Sequence, residues 1–119
     1  MITMHAAADF AVACVALLHA WFLVLEMFLW SKPLGRRVFG LTHEFAVATK
    51  TLAANQGLYN GLLAAGLVWG LVSGDFHVKI FFLTCIIVVG IYGGLTVNRK
   101  IFFVQALPAL FALILLHLP

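Results

Sequence analysis

An acid and a histidine lie on what would be one face of a helix near the start of the chain. Glu26 follows His19 by seven residues, which is about two turns of an α-helix. Their neighbours are apolar, and an ionisable side chain that faces lipid is costly, so both should face the protein interior or water. Because carboxyl and imidazole groups act as general acids and bases, Glu26 and His19 are the candidate catalytic residues.

A cluster of hydrogen-bonding side chains interrupts a second apolar stretch. The segment AANQGLYNG carries three carboxamides and a phenol within less than two helical turns. We expect this cluster to donate hydrogen bonds to Glu26, to a ligand at the same depth, or to both. The alternative is that such groups only join helices, each contributing about 0.6 kcal/mol. The candidate ligand-binding residues are Glu26, Trp30, Asn55, Gln56, Tyr59, Asn60, Tyr92 and Gln105.

The elements that would position these residues are four long apolar stretches, at about 6–30, 51–73, 78–97 and 101–118. The chain has 119 residues, of which 65% are hydrophobic and 9% are charged, whereas a soluble domain is about one quarter charged. Each stretch has about 20 residues, enough for a helix to cross a hydrocarbon core of about 30 Å. The sequence therefore predicts an all-α fold, a four-transmembrane-helix bundle that forms a single domain over residues 1–119.

The start of the second helix is left open by the sequence. The segment THEF, residues 42–45, is typical of a helix start, with Thr42 as the capping residue and Glu44 near the positive end of the helix dipole. The second helix therefore begins either near Thr42, with an interfacial turn before the span, or near Thr51.

The basic residues predict the orientation in the membrane. One connection carries Lys32, Arg36, Arg37 and Lys50, another carries Arg99 and Lys100, and Lys79 lies on the opposite side. Basic connections stay in the cytosol, so both termini are expected outside. The lipid bilayer is then the first partner. Nucleic acid is not expected, because the basic residues are few and form no groove with stacking aromatic residues.

With this orientation, all four predicted helices place hydrogen-bonding groups in the cytosolic third of the membrane. This common depth predicts a polar pocket that opens toward the cytosol. The first functional hypothesis is binding or transport of a small amphipathic or lipophilic molecule, held by Glu26. The second is a membrane isomerase or transferase that uses Glu26 or His19 as acid or base. The third is a structural subunit of a membrane complex.

Small residues recur every four positions in two of the predicted helices. The rows are Gly57, Gly61 and Ala65; Gly66, Gly70 and Gly74; and Gly90 with Gly94. In lipid such rows allow close helix packing, either within the chain or in a homo-oligomer. Cys14 and Cys85 lie at similar depths and are interpreted as reduced packing residues, with a disulfide between the first and third helices as the alternative. No metal site and no cofactor are predicted, because no tight cluster of histidine and cysteine is present.

The chain resembles one family along nearly its whole length. The segments that carry the likeness are EMFLW, VFGL, NQGLYNGLLAAGL, GIYGGLTVNRK and VQALPALFAL. Together they resemble the domain of unknown function 1304 family of small bacterial integral membrane proteins. This resemblance implies four membrane helices in the bacterial inner membrane and implies no activity. A weaker likeness, carried by TLAANQGLYN, is to the membrane-associated eicosanoid and glutathione metabolism proteins.

Overall fold

The computed structural model describes residues 3–119. Within that range the chain is helical and contains no strand, which confirms the predicted all-α class. The elements in chain order are α1 (Met4–Met27), α2 (Pro33–Phe39), α3 (His43–Ala48), α4 (Lys50–Ser73), α5 (Phe76–Thr96), α6 (Arg99–Ile101), a π-helical turn (Phe102–Ala106) and α7 (Leu107–Leu116).

Three segments within residues 3–119 are long and apolar enough to cross a membrane, namely Met4–Met27, Phe76–Thr96 and Arg99–Leu116. These three segments indicate a membrane protein. Helix α4 has 24 residues, as α1 does, but it is not one of these three segments. Its first half carries Lys50 and the carboxamide cluster, which lower its mean hydropathy. The fourth crossing stays a prediction at this point.

The region where the second helix was expected to begin forms two separate helices. Thr42 caps α3 as predicted, because its hydroxyl oxygen accepts a hydrogen bond of 3.1 Å from the backbone N–H of Phe45. Helix α3 ends at Ala48, and α4 begins at Lys50. Both expected regions thus contain a helix start, with the short helix α3 directly before the long helix α4.

A tight turn joins α4 to α5. Gly74 has a φ of 68°, in the left-handed region that glycine adopts without strain. Asp75 then caps α5 by accepting hydrogen bonds from the backbone N–H groups of His77 and Val78, at 2.9 and 3.2 Å. Gly74 was expected to belong to a packing row, and this is wrong, because a side chain there would meet no atom within 4 Å. It forms the turn instead.

The last long helical segment contains one widened turn. Leu107 donates its backbone N–H to the carbonyl of Phe102, five residues earlier, and Pro108 follows it without an N–H to continue the regular pattern. Gln105 and Ala106 in this π-helical turn are buried. An ideal Cβ on Gly90 of α5 would lie 2.6 Å from the backbone nitrogen of Ala106, so the two backbones approach closely at this turn.

The contacts divide the chain into two compact units. The first, called here the terminal unit, contains the chain up to Leu17 together with Leu63–Pro119. Its core is built from small and branched side chains of four helices: Val12, Val15, Ala16, Leu67, Leu83, Ile86, Ala109 and Ala112. The second, called the central unit, contains Leu18–Leu62 and so holds the end of α1, the helices α2 and α3, and the start of α4.

Most of the predicted glycine rows pack within the chain. In the terminal unit, Gly66 lies against the ring of Phe82 and Gly70 against Lys79. This confirms the packing expected between the second and third long helices. In the central unit, Gly57 and Gly61 face α1 instead, where a Cβ on either would meet Leu23. Assembly into a homo-oligomer stays a prediction.

Candidate functional site

The predicted acid is held by one residue of the carboxamide cluster. In the central unit, the side-chain nitrogen of Asn60 donates a short hydrogen bond to Oε1 of Glu26. Glu26 is half-buried, while Asn60 has only 4% of its surface exposed. The expected link between this cluster and Glu26 is thus confirmed for Asn60.

A glycine one turn before Asn60 allows this contact to form. A Cβ on Gly57 would lie 2.7 Å from Cγ of Met27 and 3.0 Å from Cβ of Glu26. Any larger side chain at this position would push the end of α1 away from α4. The spacing Gly57-x-x-Asn60 therefore sets a close helix approach and one donor on the same face, since residues three apart are neighbours on a helix.

The other three polar residues of the cluster point elsewhere. The buried positions in the first part of α4 are Ala53, Gly57 and Asn60, which share one face. Asn55, Gln56 and Tyr59 are exposed and make no hydrogen bond to Glu26. None of these three residues therefore supplies a donor to the acid, although Gln56 precedes Asn60 by about one helical turn. Their role as ligand contacts stays a prediction.

Trp30 lies beyond the helix in which it was expected. Helix α1 ends at Met27, so Glu26 sits in its last turn and Trp30 in the bend that follows. There the indole Nε1 donates a hydrogen bond of 2.9 Å to the hydroxyl of Thr49, and the ring lies 4.9 Å from that of Phe39. Trp30 thus joins the end of α1 to the segment that precedes α4. Its contact with a ligand stays a prediction.

His19, the second catalytic candidate, is fully buried in α1. Its ring packs edge-on against Phe22 with a centroid distance of 5.2 Å. It lies two turns before Glu26 on the same helix, as the sequence predicts. A role as acid or base stays a prediction.

The remaining predicted ligand residues belong to the terminal unit. Gln105 is buried in the π-helical turn, and Tyr92 of α5 is 69% exposed. That they share a site with Glu26 stays a prediction. Cys14 and Cys85, also in this unit, are both free thiols.

An ion pair that the sequence did not predict joins two helices of the terminal unit. Nζ of Lys79, in the first turn of α5, lies 2.8 Å from Oδ1 of Asp9, near the start of α1. The lysine side chain is 9% exposed and that of the aspartate 48%. From the sequence, Lys79 indicates only the orientation in the membrane. The signal that would have found the pair is opposite charge near the starts of two apolar helices.

An apolar groove in the terminal unit contains none of the predicted ligand residues. Its volume is about 440 Å³, and it is lined by Phe103, Leu107, Pro108, Leu110, Phe111 and Ile114. These side chains offer no polar group that could orient a ligand, so the groove is an apolar surface only.

Glu26 and Asp9 therefore differ in the chemistry they can perform. Asp9 is neutralised by Lys79, whereas the hydrogen-bond partner of Glu26 is an uncharged amide. Oε2 of Glu26 receives no hydrogen bond from the described residues. This oxygen can accept a hydrogen bond or a positive charge from another molecule, or exchange a proton with it.

Comparison with known proteins identifies a family and no activity. The chain matches a family model described as "Protein of unknown function (DUF1304)" over residues 13–117. It is 38% identical over 104 residues to a protein from Lactococcus lactis named "Uncharacterized protein YpaA", an alignment that covers 84% of this chain and 87% of that protein. No solved structure matches the chain. The match spans all but the first twelve and last two residues, so the chain belongs to the DUF1304 family, as its motifs had indicated.

Proposed function

We propose that this protein crosses a bacterial cytoplasmic membrane four times and binds or carries a small amphipathic molecule whose polar end is held by Glu26. The observation that carries the proposal is the half-buried carboxyl of Glu26, whose hydrogen-bond partner is the neutral Asn60. An ionisable side chain within a membrane helix is costly, and such residues mark binding sites and ion pathways by default.

Contacts inside the terminal unit support four crossings. The pair of Asp9 and Lys79 joins the starts of α1 and α5, so both helices begin on the same side of the membrane. If α1 crosses, the chain has to return before α5 begins. The only described helix between them that is long enough is α4, whose 24 residues extend about 36 Å. Its hydropathy is lowered by side chains that face protein, such as Asn60, or that lie near one end.

A second contact supports the position of the C-terminus. The ring of His117, just after α7, lies 5.4 Å from that of Phe76 at the start of α5. The last helical segment thus ends on the side where α5 begins, which is also the side of the N-terminus. The remaining basic connections, with Lys32, Arg36, Arg37 and Lys50 and with Arg99 and Lys100, then lie on the opposite side, which is the cytosol by the positive-inside rule.

The chemistry around Glu26 indicates the class of ligand. A primary ammonium or a hydroxyl group would donate to Oε2, while Asn60 keeps Oε1 occupied. On the helix face that carries the acid, the side chain of Met27 lies beside Gly57 and that of Leu23 beside Gly61. An apolar tail next to a cationic or hydroxyl head therefore matches this part of the central unit, and charge complementarity favours the ammonium.

The proposal is tested with dodecylammonium as the probe and dodecanol as its neutral counterpart. Native mass spectrometry of the detergent-solubilised protein measures the fraction with bound probe. Glu26→Gln should weaken dodecylammonium binding by about tenfold or more, since loss of a charge-assisted contact costs about 1.5–3 kcal/mol. Glu44→Gln is the matched control, because this substitution makes the same chemical change at an exposed position of α3. It should bind as the unaltered protein does.

Equal binding by the unaltered protein and the folded Glu26→Gln variant would contradict a ligand site at this acid. The same holds if both single variants lose binding equally, because the effect would then be one of total charge. In either case the pair of Glu26 and Asn60 would only join two helices. That result would favour the hypothesis of a structural subunit of a membrane complex.

A further inference from the structure

The chain between α1 and α4 presents both basic and apolar side chains. This segment, residues 32–49, is called here the α2–α3 segment and lies wholly in the central unit. Its basic residues are Lys32, Arg36 and Arg37, and its single acid is Glu44. Its exposed large apolar residues are Leu34, Val38, Phe39, Phe45 and Val47. Basic and apolar groups on one short segment are typical of chain that lies in the headgroup layer of a membrane.

The α2–α3 segment is held firmly against the end of α1. Gly35 is buried, and an ideal Cβ at this position would lie 1.8 Å from the carbonyl oxygen of Leu29. The tilted ring contact between Phe39 and Trp30 holds the end of α2, and the hydrogen bond from Trp30 to Thr49 holds the end of the segment. The basic residues therefore stand on a fixed backbone, which reduces the entropy lost when they bind a partner.

The three cations of the segment are not neutralised by the protein. Among residues 3–119, Lys32, Arg36 and Arg37 make no ion pair and no side-chain hydrogen bond. Nε of Arg36 is even enclosed without an acceptor, which is costly for a donor. The guanidinium of Arg36 can thus turn toward an anion without breaking any existing bond. Arginine binds phosphate through two parallel N–H groups, which makes phosphate the matching anion.

We infer that the α2–α3 segment binds the phosphate group of an anionic phospholipid through Arg36 and Arg37, while Leu34 and Val38 enter the acyl boundary. We assign the phosphate to a lipid of the bilayer because the segment directly follows α1, which is apolar enough to cross a membrane. This interaction is separate from the proposed site at Glu26, since it uses no residue of that site.

The experiment measures lipid adducts by native mass spectrometry, with phosphatidylglycerol as the anionic probe and phosphatidylcholine as the neutral one. The double variant Arg36→Gln/Arg37→Gln should bind phosphatidylglycerol about tenfold or more weakly, because it removes both guanidinium groups that hold the phosphate. Arg99→Gln/Lys100→Gln is the matched control. It removes the same charge from exposed residues of α6 and should retain phosphatidylglycerol binding.

Two outcomes would overturn the inference. One is an equal loss of phosphatidylglycerol in both double variants, which would mean that only total charge matters. The other is binding of soluble glycerol 3-phosphate as tight as that of the lipid, which would make the source a free phosphate. If the double variant fails to fold, Arg37→Gln alone at its exposed position should still weaken phosphatidylglycerol binding several-fold. An unchanged affinity in that variant would also overturn the inference.

Discussion

Two carboxyl groups of α1, one in each unit, have partners of opposite kind. Asp9 in the terminal unit faces the ammonium group of Lys79, and its charge is matched. Glu26 in the central unit faces the carboxamide of Asn60, and its charge is not matched. The two groups share one helix, one chemistry and a similar apolar sequence context, so the difference between them lies in what the neighbouring helices bring to each.

A structural acid and an acid that binds another molecule are expected to differ in their partners. An acid paired with a base, such as Asp9 with Lys79, links two helices and leaves no charge unpaired, so stabilising the fold is a sufficient role for it. An acid whose partner is a neutral donor still has an oxygen that can accept a hydrogen bond from another molecule. An ionisable group in a membrane helix is costly, and such groups usually mark functional sites. Removal of a structural acid should lower the free energy of unfolding more than removal of a functional acid.

The largest effect is expected at the ion pair. Asp9→Asn leaves the buried ammonium of Lys79 without a counter-charge and should lower the free energy of unfolding by about 3 kcal/mol, the lower end of the range for broken buried pairs because Asp9 is half exposed. Unfolding by sodium dodecyl sulfate, followed by circular dichroism, measures this change. The double variant Asp9→Asn/Lys79→Met should recover most of the loss. A double variant as unstable as Asp9→Asn would mean that the pair is not what holds the two helices.

A smaller effect is expected where glycines allow close packing. Gly90→Ala should destabilise the protein by about 2 kcal/mol, because the new methyl group meets the backbone of Ala106 and cannot be relieved by a side-chain movement. In the central unit, Gly61→Ala meets the terminal methyl of Leu23, which can move aside. Its cost should be clearly lower in the same unfolding assay. If Gly90→Ala and Gly61→Ala lowered the free energy of unfolding equally, contact with the backbone would be no more restrictive than contact with a side chain.

The smallest effect is expected at the acid that we propose to be functional. Glu26→Gln keeps an oxygen that accepts from Asn60, so the free energy of unfolding should stay within error of the unaltered protein. Asn60→Leu removes the donor and should cost about 0.6 kcal/mol, the average for a polar contact between membrane helices. A loss at Glu26→Gln comparable with that at Asp9→Asn would show a structural acid and contradict the comparison.

Much of the fold follows from local sequence signals. The apolar stretches of about 20 residues predicted the long helices, and Thr42 predicted a helix start, because length, hydropathy and capping act over a few neighbouring residues. Membership of the family followed from the motifs. By contrast, the glycine rows predicted close packing without its partners, since spacing identifies a helix face and not what lies against it. Gly74 shows the same limit, as its place in a row of three concealed its use in a turn.

The sequence alone determined that Glu26 and the carboxamides lie in apolar helices, because residue type and neighbours are enough to assign this environment. Only the tertiary structure decided which polar groups meet. It selected Asn60 from its cluster, turned Asn55, Gln56 and Tyr59 outward, and brought Lys79 to Asp9 across 70 residues of chain. The physical reason is that a polar contact between helices depends on the rotation and separation of both helices, which the packing of distant apolar and glycine residues sets.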